Sequence, residues 1–265
     1  MSDVFDQLFA LLRPEAILRD PRATGEGVRV AVIDSGIDRA RLRAKHPDML
    51  PVEGAVFRED RPEPLPDDGQ PSSPHGTTVA DVVLGVAPRV RLYSADVFGP
   101  VGSCDVKVVI RAVRWAMDAW QAKVINLSLG VPEQRLAQVP RRLELMRAVE
   151  EAYYRDVLVI AAAHNDHPLT RSYPAAFAPP LLSVDKGEFA DPLDFTYRLC
   201  EQVEFQARGR GYLGPFATEP ATSWAAPHLA GIAARVLSLR PTLKPFEMKA
   251  ILYWLSRARS GGARP

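Results

Sequence analysis

Three residues of the chain have side chains and surroundings that suit acyl-transfer chemistry. Asp34 directly follows an apolar run that predicts a β-strand, and open parallel sheets build their sites at this end of their strands. His75 opens an apolar helical run, and Ser223 lies where small residues lead into a long helix. The exposed amides and the dipole at that helix start favour the negative charge that an acyl-transfer oxyanion carries.

Each of these residues also has an ordinary structural interpretation when it is considered alone. Asp34 could cap the turn after its strand, His75 could be a surface or capping residue, and Ser223 could be a helix N-cap. The catalytic interpretation therefore depends on all three occurring together, in the order aspartate, histidine and serine.

The elements that must position these residues are predicted by alternating strand and helix patterns, which indicate an α/β fold. The first expected strand, residues 28–33, is an almost unbroken apolar run, as in a parallel sheet covered on both faces, and similar short apolar runs follow at 90–95, 124–129, 157–162 and 181–184. Apolar residues at helical spacing predict crossover helices at 106–120 and 142–153.

The remaining segments complete the predicted organisation. Apolar residues at helical spacing predict a short helix at 4–12, and turn formers at 20–27 predict a connector. We therefore divide the chain into an N-terminal segment, 1–27, and one large domain, 28–265. Residues 58–74 are proline-rich and charged, which predicts a surface loop or a partly disordered flap.

Composition restricts the classes of function. The chain has 265 residues, 47% of them hydrophobic, which is enough for the core of one large domain. With 33 basic and 32 acidic residues and no basic stripe, no nucleic-acid partner is expected. No segment is apolar enough to span a membrane, and the N-terminus lacks a signal-peptide pattern, so we expect a cytoplasmic protein. Cys104 and Cys200 fit neither a disulfide framework nor a zinc site, and no metal or cofactor is expected.

Five stretches resemble the successive signature segments of the subtilisin-like serine peptidases. They are residues 30–38 (VAVIDSGID), 75–80 (HGTTVA), 85–88 (GVAP), 124–130 (VINLSLG) and 221–231 (ATSWAAPHLAG). They occur in the family's order over most of the chain, so chance explains them poorly. The resemblance implies a three-layer fold, with a mostly parallel central sheet flanked by helices, and serine endopeptidase activity.

The resemblance also implies a role for each matched catalytic residue. Ser223 would be the nucleophile, His75 would accept its proton and return it to the leaving amine, and Asp34 would orient the imidazole. Asn165, which follows an apolar strand, matches the family's oxyanion-binding asparagine and would act with the backbone amide of Ser223. Considered alone, Asn165 could be an ordinary turn residue.

A further group of matched residues is predicted to bind the substrate. Ser128, Leu129 and Gly130 resemble the edge to which the family pairs an extended peptide backbone, and Gly102 and Ser103 resemble the opposite edge. The expected partner is therefore a protein or peptide in an extended conformation. An activator or inhibitor protein is a further expected partner.

Residues around the predicted site depart from the family pattern. Ala221 and His164 stand where the family usually has glycine, and Trp224 stands where it usually has methionine. The indole of Trp224 is expected to contact the substrate and to crowd the leaving-group side of the cleft. Residues 166–174 resemble a shortened lining of the primary specificity pocket, where Asp166 would favour a basic substrate residue.

Two functions follow from these patterns. The first is an intracellular endopeptidase that processes a few protein or peptide substrates, which the retained catalytic residues favour. The alternative is a catalytically weak relative that binds an extended peptide or a partner protein, which the departures around the site favour.

Overall fold

The computed structural model describes residues 13–99 and 102–260. Its strands are β1 (Arg29–Asp34), β2 (Glu53–Val56), β3 (Leu65–Pro66), β4 (Arg91–Asp96), β5 (Val124–Leu127), β6 (Val131–Pro132), β7 (Leu158–Ala162), β8 (Ser172–Tyr173), β9 (Leu182–Gly187), β10 (Phe195–Cys200) and β11 (Val203–Arg208). Its α-helices are α1 (Pro14–Leu18), α2 (Arg39–Lys45), α3 (Pro74–Val86), α4 (Val106–Asp118), α5 (Val139–Tyr154), α6 (Thr222–Leu239) and α7 (Pro245–Ser260).

The main sheet has the strand order β10-β11-β9-β7-β5-β1-β4-β2-β3. Neighbouring strands run parallel from β11 to β2, and the outermost strands β10 and β3 pair antiparallel. The short strands β6 and β8 pair with each other outside this sheet. The predicted α/β class with a mostly parallel central sheet is thus confirmed.

Two hydrophobic cores lie on opposite faces of the main sheet. Successive residues of a strand point to opposite faces, and β1 therefore contributes to both cores. Val30 and Val32 pack in the core that includes residues of α3, α6 and α7. Ala31 and Ile33 pack in the core that includes residues of α4 and α5. Because both faces are covered by helices, the molecule has the three layers that were expected.

The parallel sheet brings the ends of three central strands to one edge. In the register of β1 and β5, Ile33 pairs with Leu127, and in that of β5 and β7, Leu127 pairs with Ala161. All three strands therefore end side by side. The segments that follow them, which include Asp34, 128–130 and 163–165, start from a common edge, where open α/β sheets place their sites.

The crossover helices begin and end close to the predicted positions. The helix predicted at 106–120 is α4, and the one predicted at 142–153 is α5, which starts three residues earlier. The helix predicted at 4–12 lies outside the described residues.

The proline-rich loop is held to the domain by α4. Arg111 of this helix donates hydrogen bonds to the carbonyl oxygens of Arg58, Arg61 and Pro62. Residues 58–74 also contain the short strand β3. The start of this segment is thus held by Arg111 and by the hydrogen bonds that Arg58 donates to Asp96 of β4.

The chain ahead of β1 packs onto α6. Leu18 is fully buried in the core, and its carbonyl oxygen accepts a hydrogen bond from Arg235 of α6. Farther along, the Gly25 N–H donates to Ser238 Oγ at 3.2 Å. The domain boundary at residue 27 stays a prediction.

None of the helices formed by residues 13–99 and 102–260 is long and apolar enough to cross a lipid bilayer.

Candidate active site

A buried carboxylate and an imidazole form the centre of the candidate site. Asp34 ends β1 and is only 1% exposed, whereas His75 lies in the first turn of α3, behind the N-cap Ser73 and Pro74. His75 Nδ1 lies 2.9 Å from Asp34 Oδ1. Because an ionised carboxylate can only accept, Nδ1 is the donor, and the neutral ring keeps its lone pair on Nε2. Among the described residues, Nε2 has no hydrogen-bond partner.

Gly76 allows α3 to approach β1 this closely. A Cβ atom at this position would collide with the carbonyl oxygen of Gly36 and would lie 3.2 Å from Asp34 Oδ1. The Gly76 N–H donates to Ser35 Oγ at 3.0 Å, and the Ser35 N–H donates to Asp34 Oδ1 at 2.8 Å. The glycine after the histidine is therefore required by close packing, and the same contacts orient the carboxylate.

The electrostatic environment favours a protonated imidazole. Burial lowers the pKa of His75, but the negative charge of Asp34 and the hydrogen bond to it raise that pKa, and the net pKa lies above the ordinary value of 6.5. A ring in this position is stabilised as a cation when it takes up a proton.

Ser223 lies in the first turn of α6, where backbone amides lack helical acceptors. In the described chain its N–H has no hydrogen-bond acceptor, while the neighbouring Thr222 N–H donates to Asn165 Oδ1 at 2.9 Å. Ser223 Oγ donates to the carbonyl oxygen of Ser128 at 3.2 Å and not to His75. The hydroxyl must leave the Ser128 carbonyl before it can donate to the imidazole.

Pro227 explains why Ser223 is tied to the sheet edge. Proline has no N–H, so the Ser223 carbonyl, four residues earlier in α6, lacks its helical donor. Ser128 Oγ donates to this carbonyl at 2.8 Å and accepts from Asn126 Nδ2 at 3.0 Å. Ser128 directly follows β5, so the start of α6 is fixed beside the strand that neighbours β1.

Asn165 lies on the other side of Ser223, on an exposed loop after β7. Its Oδ1 accepts from the N–H of Thr222 at 2.9 Å and lies 3.1 Å from Thr222 Oγ1. Thr222 Oγ1 donates its single proton to the Ala163 carbonyl at 2.7 Å, and Lys186 Nζ donates to the Asn165 carbonyl at 2.6 Å. With Oδ1 occupied, the Asn165 amide presents its N–H groups as donors, and Nδ2 has no partner in the described chain.

A cleft of about 350 Å³ lies in front of the imidazole. Four of the residues that were predicted to bind the substrate line this cleft, and they come from both predicted edges. They are Gly102, Ser128, Leu129 and Gly130. His75 and Asp34 line it as well, so the predicted substrate edges and the acid–imidazole pair share one space.

The residues that line the cleft differ from the predicted set at two positions, Ser103 and Phe98. Ser103 does not line the cleft, but its carbonyl oxygen accepts from the Gly99 N–H at 2.9 Å and so closes the turn that carries Gly102. Phe98 does line the cleft and was not predicted. Its sequence position, just after an apolar strand, gave no sign that distinguishes it from a core residue.

The prediction that Trp224 contacts the substrate is not supported, because its side chain is buried. Trp224 is 2% exposed, and its indole N–H donates to the carbonyl oxygen of Glu219 at 3.1 Å. Its ring lies 4.8 Å from the His75 ring and 4.9 Å from the ring of Phe216, centroid to centroid. The indole therefore packs behind the imidazole. Phe216, which was not predicted, lies in the 3-10 helix Gly214–Ala217 shortly before α6.

Within the described residues, no three His, Cys, Asp or Glu side chains cluster in a way that could hold a metal ion. Cys104 and Cys200 are both free thiols. Burial, followed by the nearby carboxylates, raises the pKa of the Cys104 thiol to about 12, so this side chain is not a reactive thiolate.

Comparisons with known proteins agree with the resemblance seen in the sequence. Residues 25–188 and 203–263 match the subtilase family, Peptidase_S8. Subtilisin E of Bacillus subtilis is 34% identical over 239 residues, which cover 83% of this chain and 58% of subtilisin E. Subtilisin of Bacillus pumilus is 33% identical over 237 residues, which cover 83% of this chain and 80% of that protein.

The chain thus spans about three fifths of the length of subtilisin E. Among solved structures, the S41 psychrophilic protease superposes with a TM-score of 0.70 at 25% identity, covering 91% of this chain and 87% of that one. A cold-adapted subtilisin-like serine proteinase superposes with a TM-score of 0.66 at 26% identity. The matched segments, the fold and the sequence identity together show that this chain belongs to the subtilase family.

Proposed function

We propose that this protein is a serine endopeptidase that hydrolyses peptide bonds through an acyl-enzyme intermediate. The nucleophile is Ser223, the general base is His75, and Asp34 orients the base. The observation that carries the proposal is the 2.9 Å contact between His75 Nδ1 and Asp34 Oδ1, which leaves Nε2 free to accept a proton. Membership of the subtilase family supports the same activity.

In the first step, the Ser223 hydroxyl turns from the Ser128 carbonyl to His75 Nε2 and attacks the carbonyl carbon of the substrate. The hydroxyl proton moves to Nε2, and the carbonyl π electrons move to the oxygen. The resulting oxyanion accepts hydrogen bonds from the Ser223 N–H and from Asn165 Nδ2. Both donors lack partners in the described chain, so neither has to break a protein hydrogen bond to bind the oxyanion.

In the second step, the C–N bond breaks, its electron pair goes to the nitrogen, and His75 protonates the leaving amine. A water molecule then attacks the ester carbonyl, giving its proton to His75 Nε2. Collapse of this second intermediate breaks the C–O bond to Ser223 and returns the proton to Oγ. The imidazolium is stabilised in both steps by Asp34, because that carboxylate is buried against the ring.

The substrate is proposed to bind as an extended strand. Ser128, Leu129 and Gly130 line one side of the cleft, with Gly102 on the other, and an extended peptide could add to these edges by backbone hydrogen bonds. This binding mode suits a protein segment that is locally unfolded.

One observation favours the alternative of a catalytically weak peptide-binding protein. The Ser223 hydroxyl is bonded to the Ser128 carbonyl and not to the imidazole. Loose nucleophile geometry is common before substrate binds, so the endopeptidase remains the function that the site supports best.

The test is hydrolysis of an unfolded protein, such as reduced casein, followed by mass spectrometry of the products. We expect internal cleavages by the wild-type protein and none by Ser223→Ala. Asp34→Asn should keep about 10⁻⁴ of the activity, because the wrong imidazole tautomer would face the serine. Peptide binding without hydrolysis in the wild-type protein would establish the alternative function instead.

Action inside the cell on a small set of substrates is a separate proposal. Cell fractionation with immunodetection tests the location, and recovery of the protein in the culture medium would contradict it.

A further inference from the structure

We infer that His167 is a positioning residue: as an imidazolium cation, it holds the turn that presents Asn165 to the oxyanion. The inference rests on the proposed peptidase function and adds a residue to that site. Three features support it: the turn that His167 closes, the two acceptors that its ring contacts, and the place of one acceptor in a segment outside the match to the subtilase family.

The turn that carries Asn165 ends at His167. The His167 N–H donates to the carbonyl oxygen of His164 at 3.0 Å, which closes a β-turn over residues 164–167. Asn165 is the second residue of this turn, and its Oδ1 accepts from the Thr222 N–H at the start of α6 at 2.9 Å. The direction of the Asn165 Nδ2 group therefore depends on where the turn is held.

The ring of His167 is attached to two strands of the main sheet. The side chain is 5% exposed; its Nδ1 lies 3.3 Å from Asp185 Oδ2 of β9, and its Nε2 lies 3.1 Å from the carbonyl oxygen of Cys200 of β10. A carboxylate and a carbonyl oxygen only accept hydrogen bonds, whereas a neutral imidazole donates from one nitrogen alone. The imidazolium donates from both nitrogens, so it is the form that satisfies both contacts.

The strand β9 holds the same turn at a second point. Lys186, the residue after Asp185, donates from Nζ to the Asn165 carbonyl oxygen at 2.6 Å. Asp185 thus holds the end of the turn through His167, while Lys186 holds the residue that carries the proposed oxyanion donor. Loss of the His167 contacts frees the end of the turn, and a displacement of about 1 Å at a reacting group costs up to about 10²-fold in rate.

The charged groups near His167 suit a cationic ring. They lie on its own loop, on β9 and on the hairpin between β10 and β11, and they are His164, Asp166, Arg171, Asp185, Lys186 and Glu201. The carboxylate of Asp185 contacts the ring directly. The basic side chains are engaged elsewhere, because Arg171 pairs with Glu201 at 3.7 Å and Lys186 Nζ donates to a backbone carbonyl. A carboxylate in contact with an imidazole favours its protonated form.

One of the two acceptors lies in a segment that the family match leaves out. This segment, residues 189–202, contains β10 and the loop before it. The strand β10 is the outermost strand at its end of the sheet and pairs with β11. Its Tyr197 ring packs against Phe205 of β11 and Tyr253 of α7, with ring centroids 5.3 and 4.9 Å apart. An additional, well-packed strand thus supplies a fixed carbonyl group to the loop of the proposed oxyanion donor.

The experiment compares kcat and KM for one short fluorogenic peptide in the wild-type protein, His167→Gln, Asn165→Ala and the double variant. Glutamine donates to one acceptor but turns its own carbonyl oxygen towards the other. We expect His167→Gln to lower kcat about tenfold with little change in KM, because the oxyanion exists only beyond the ground state. In the Asn165→Ala background the same substitution should change kcat by less than about twofold, since the group that His167 positions is gone.

Arg171→Gln is the matched control. It removes another contact between the same loop and the same hairpin, the pair of Arg171 and Glu201, whose side chains are 38% and 63% exposed. An exposed ion pair contributes little, so kcat should stay within about twofold of the wild-type value. The thermal midpoint of each variant shows whether it is folded. A loss of kcat equal to that of His167→Gln would reject the specific role of His167.

Nuclear magnetic resonance tests the state of the ring without turnover. In wild-type protein that carries nitrogen-15 in its histidines, both ring nitrogens of His167 should give the resonances of protonated nitrogens at the pH of the assay. In His167→Gln, the backbone N–H of residue 167 should exchange with solvent about tenfold faster, because the turn opens more often.

Three results would overturn the inference: an unchanged kcat in His167→Gln, an equal loss of kcat with and without Asn165, or a neutral His167 ring. Failure of the proposed function gives a different result, since the wild-type protein would then leave the peptide uncut. In that case a doubly protonated ring and the faster exchange would keep the turn held by His167 and reject the peptidase, whereas a neutral ring would reject both.

Discussion

The proton that His75 carries on Nδ1 determines what its other nitrogen can do. Because Asp34 is buried and accepts that proton in a hydrogen bond, Nε2 is left as the proposed base. The buried indole of Trp224 lies against the same ring, 4.8 Å away and tilted by 37°. An aromatic face stabilises a nearby cation, so we expect Trp224 to act on the proposed reaction through His75, as a positioning residue.

This contact gives a prediction about pH. The proposed mechanism requires a neutral His75, so kcat/KM should rise with pH through the pKa of His75, which lies above 6.5. Trp224→Met removes the aromatic face and should move this rise to lower pH by about half a pH unit. Trp224→Phe, which keeps a ring, should move it less. A pH–rate profile that keeps its midpoint in both variants would show that the indole only fills space.

The oxyanion donor gives a second prediction at the residue scale. Asn165→Ala removes the free Nδ2 group and should lower kcat by about 10²–10³-fold with little change in KM, which is the range known for the corresponding donor of subtilisin. Steady-state kinetics measure both constants, and the thermal midpoint serves as the folding control. A kcat within threefold of wild type, about 0.7 kcal/mol, would contradict this role.

At the scale of the element, α6 is built to hold its first turn against β5. Pro227 leaves the Ser223 carbonyl without a helical donor, and the buried Ser128 hydroxyl supplies one at 2.8 Å. Trp224, in the same turn, packs against the imidazole that α3 presents. One turn of helix thus carries the proposed nucleophile, the amide proposed to bind the oxyanion and a contact to the proposed base.

The contact between Ser128 and the Ser223 carbonyl predicts that a second substitution, at Pro227, restores part of the stability lost when Ser128 is replaced. Ser128→Ala should destabilise the fold by about 1–3 kcal/mol, because the Ser223 carbonyl and Asn126 Nδ2 lose their partner. Adding Pro227→Ala restores a helical N–H for that carbonyl and should recover part of the loss. Urea unfolding of the two single variants and the double variant measures the coupling. Strictly additive losses would show that the proline and the serine act independently.

At the scale of the whole molecule, α7 is attached to the sheet by an ion pair between the half-buried Lys249 and the buried Glu204. Lys249 Nζ lies 2.8 Å from both carboxylate oxygens of Glu204 and also donates to the carbonyl oxygens of Pro179 and Leu181. Burial raises the pKa of Glu204 and lowers the pKa of Lys249, and the attraction between them opposes both changes. Each charge is therefore tolerated because the other is present.

Removal of one partner of this ion pair should lower the free energy of unfolding more than replacement of both partners by apolar residues. Lys249→Met leaves a buried carboxylate unpaired and should lower the free energy of unfolding by about 3–5 kcal/mol. The double variant Lys249→Met with Glu204→Leu should lose less, since no lone charge stays behind. Chemical denaturation of the three proteins tests this order, and a double variant that is less stable than Lys249→Met would contradict it.

The sequence predicts the parts of this molecule that depend on local pattern. Short apolar runs predict β1, β4, β5 and β7 to within two residues at either end, since such strands are covered on both faces. The strand β9 extends three residues beyond its predicted end. Asp34 was noticed because it ends such a run, and the structure places it 2.9 Å from His75, the next residue singled out.

The direction in which a side chain turns is not predicted by these patterns. Trp224 is expected in the cleft from its place beside Ser223, but it is buried, because Phe216 packs against its ring and the carbonyl oxygen of Glu219 accepts its N–H. Asp166 is expected to line the specificity pocket, whereas its side chain is 69% exposed. The sequence places both residues near the site, but it does not record which way each side chain points.

The most direct test of the account is whether Ser223 is an activated nucleophile. The folded protein would be treated with a fluorophosphonate and analysed by intact mass and peptide mapping, with Ser223→Ala, Asp34→Asn and heat-denatured protein alongside. The account predicts a single adduct on Ser223 of the folded wild-type protein, slower labelling of Asp34→Asn, and none on Ser223→Ala or on the denatured chain. No adduct on the folded wild-type protein, or an adduct that persists in Ser223→Ala, would contradict it.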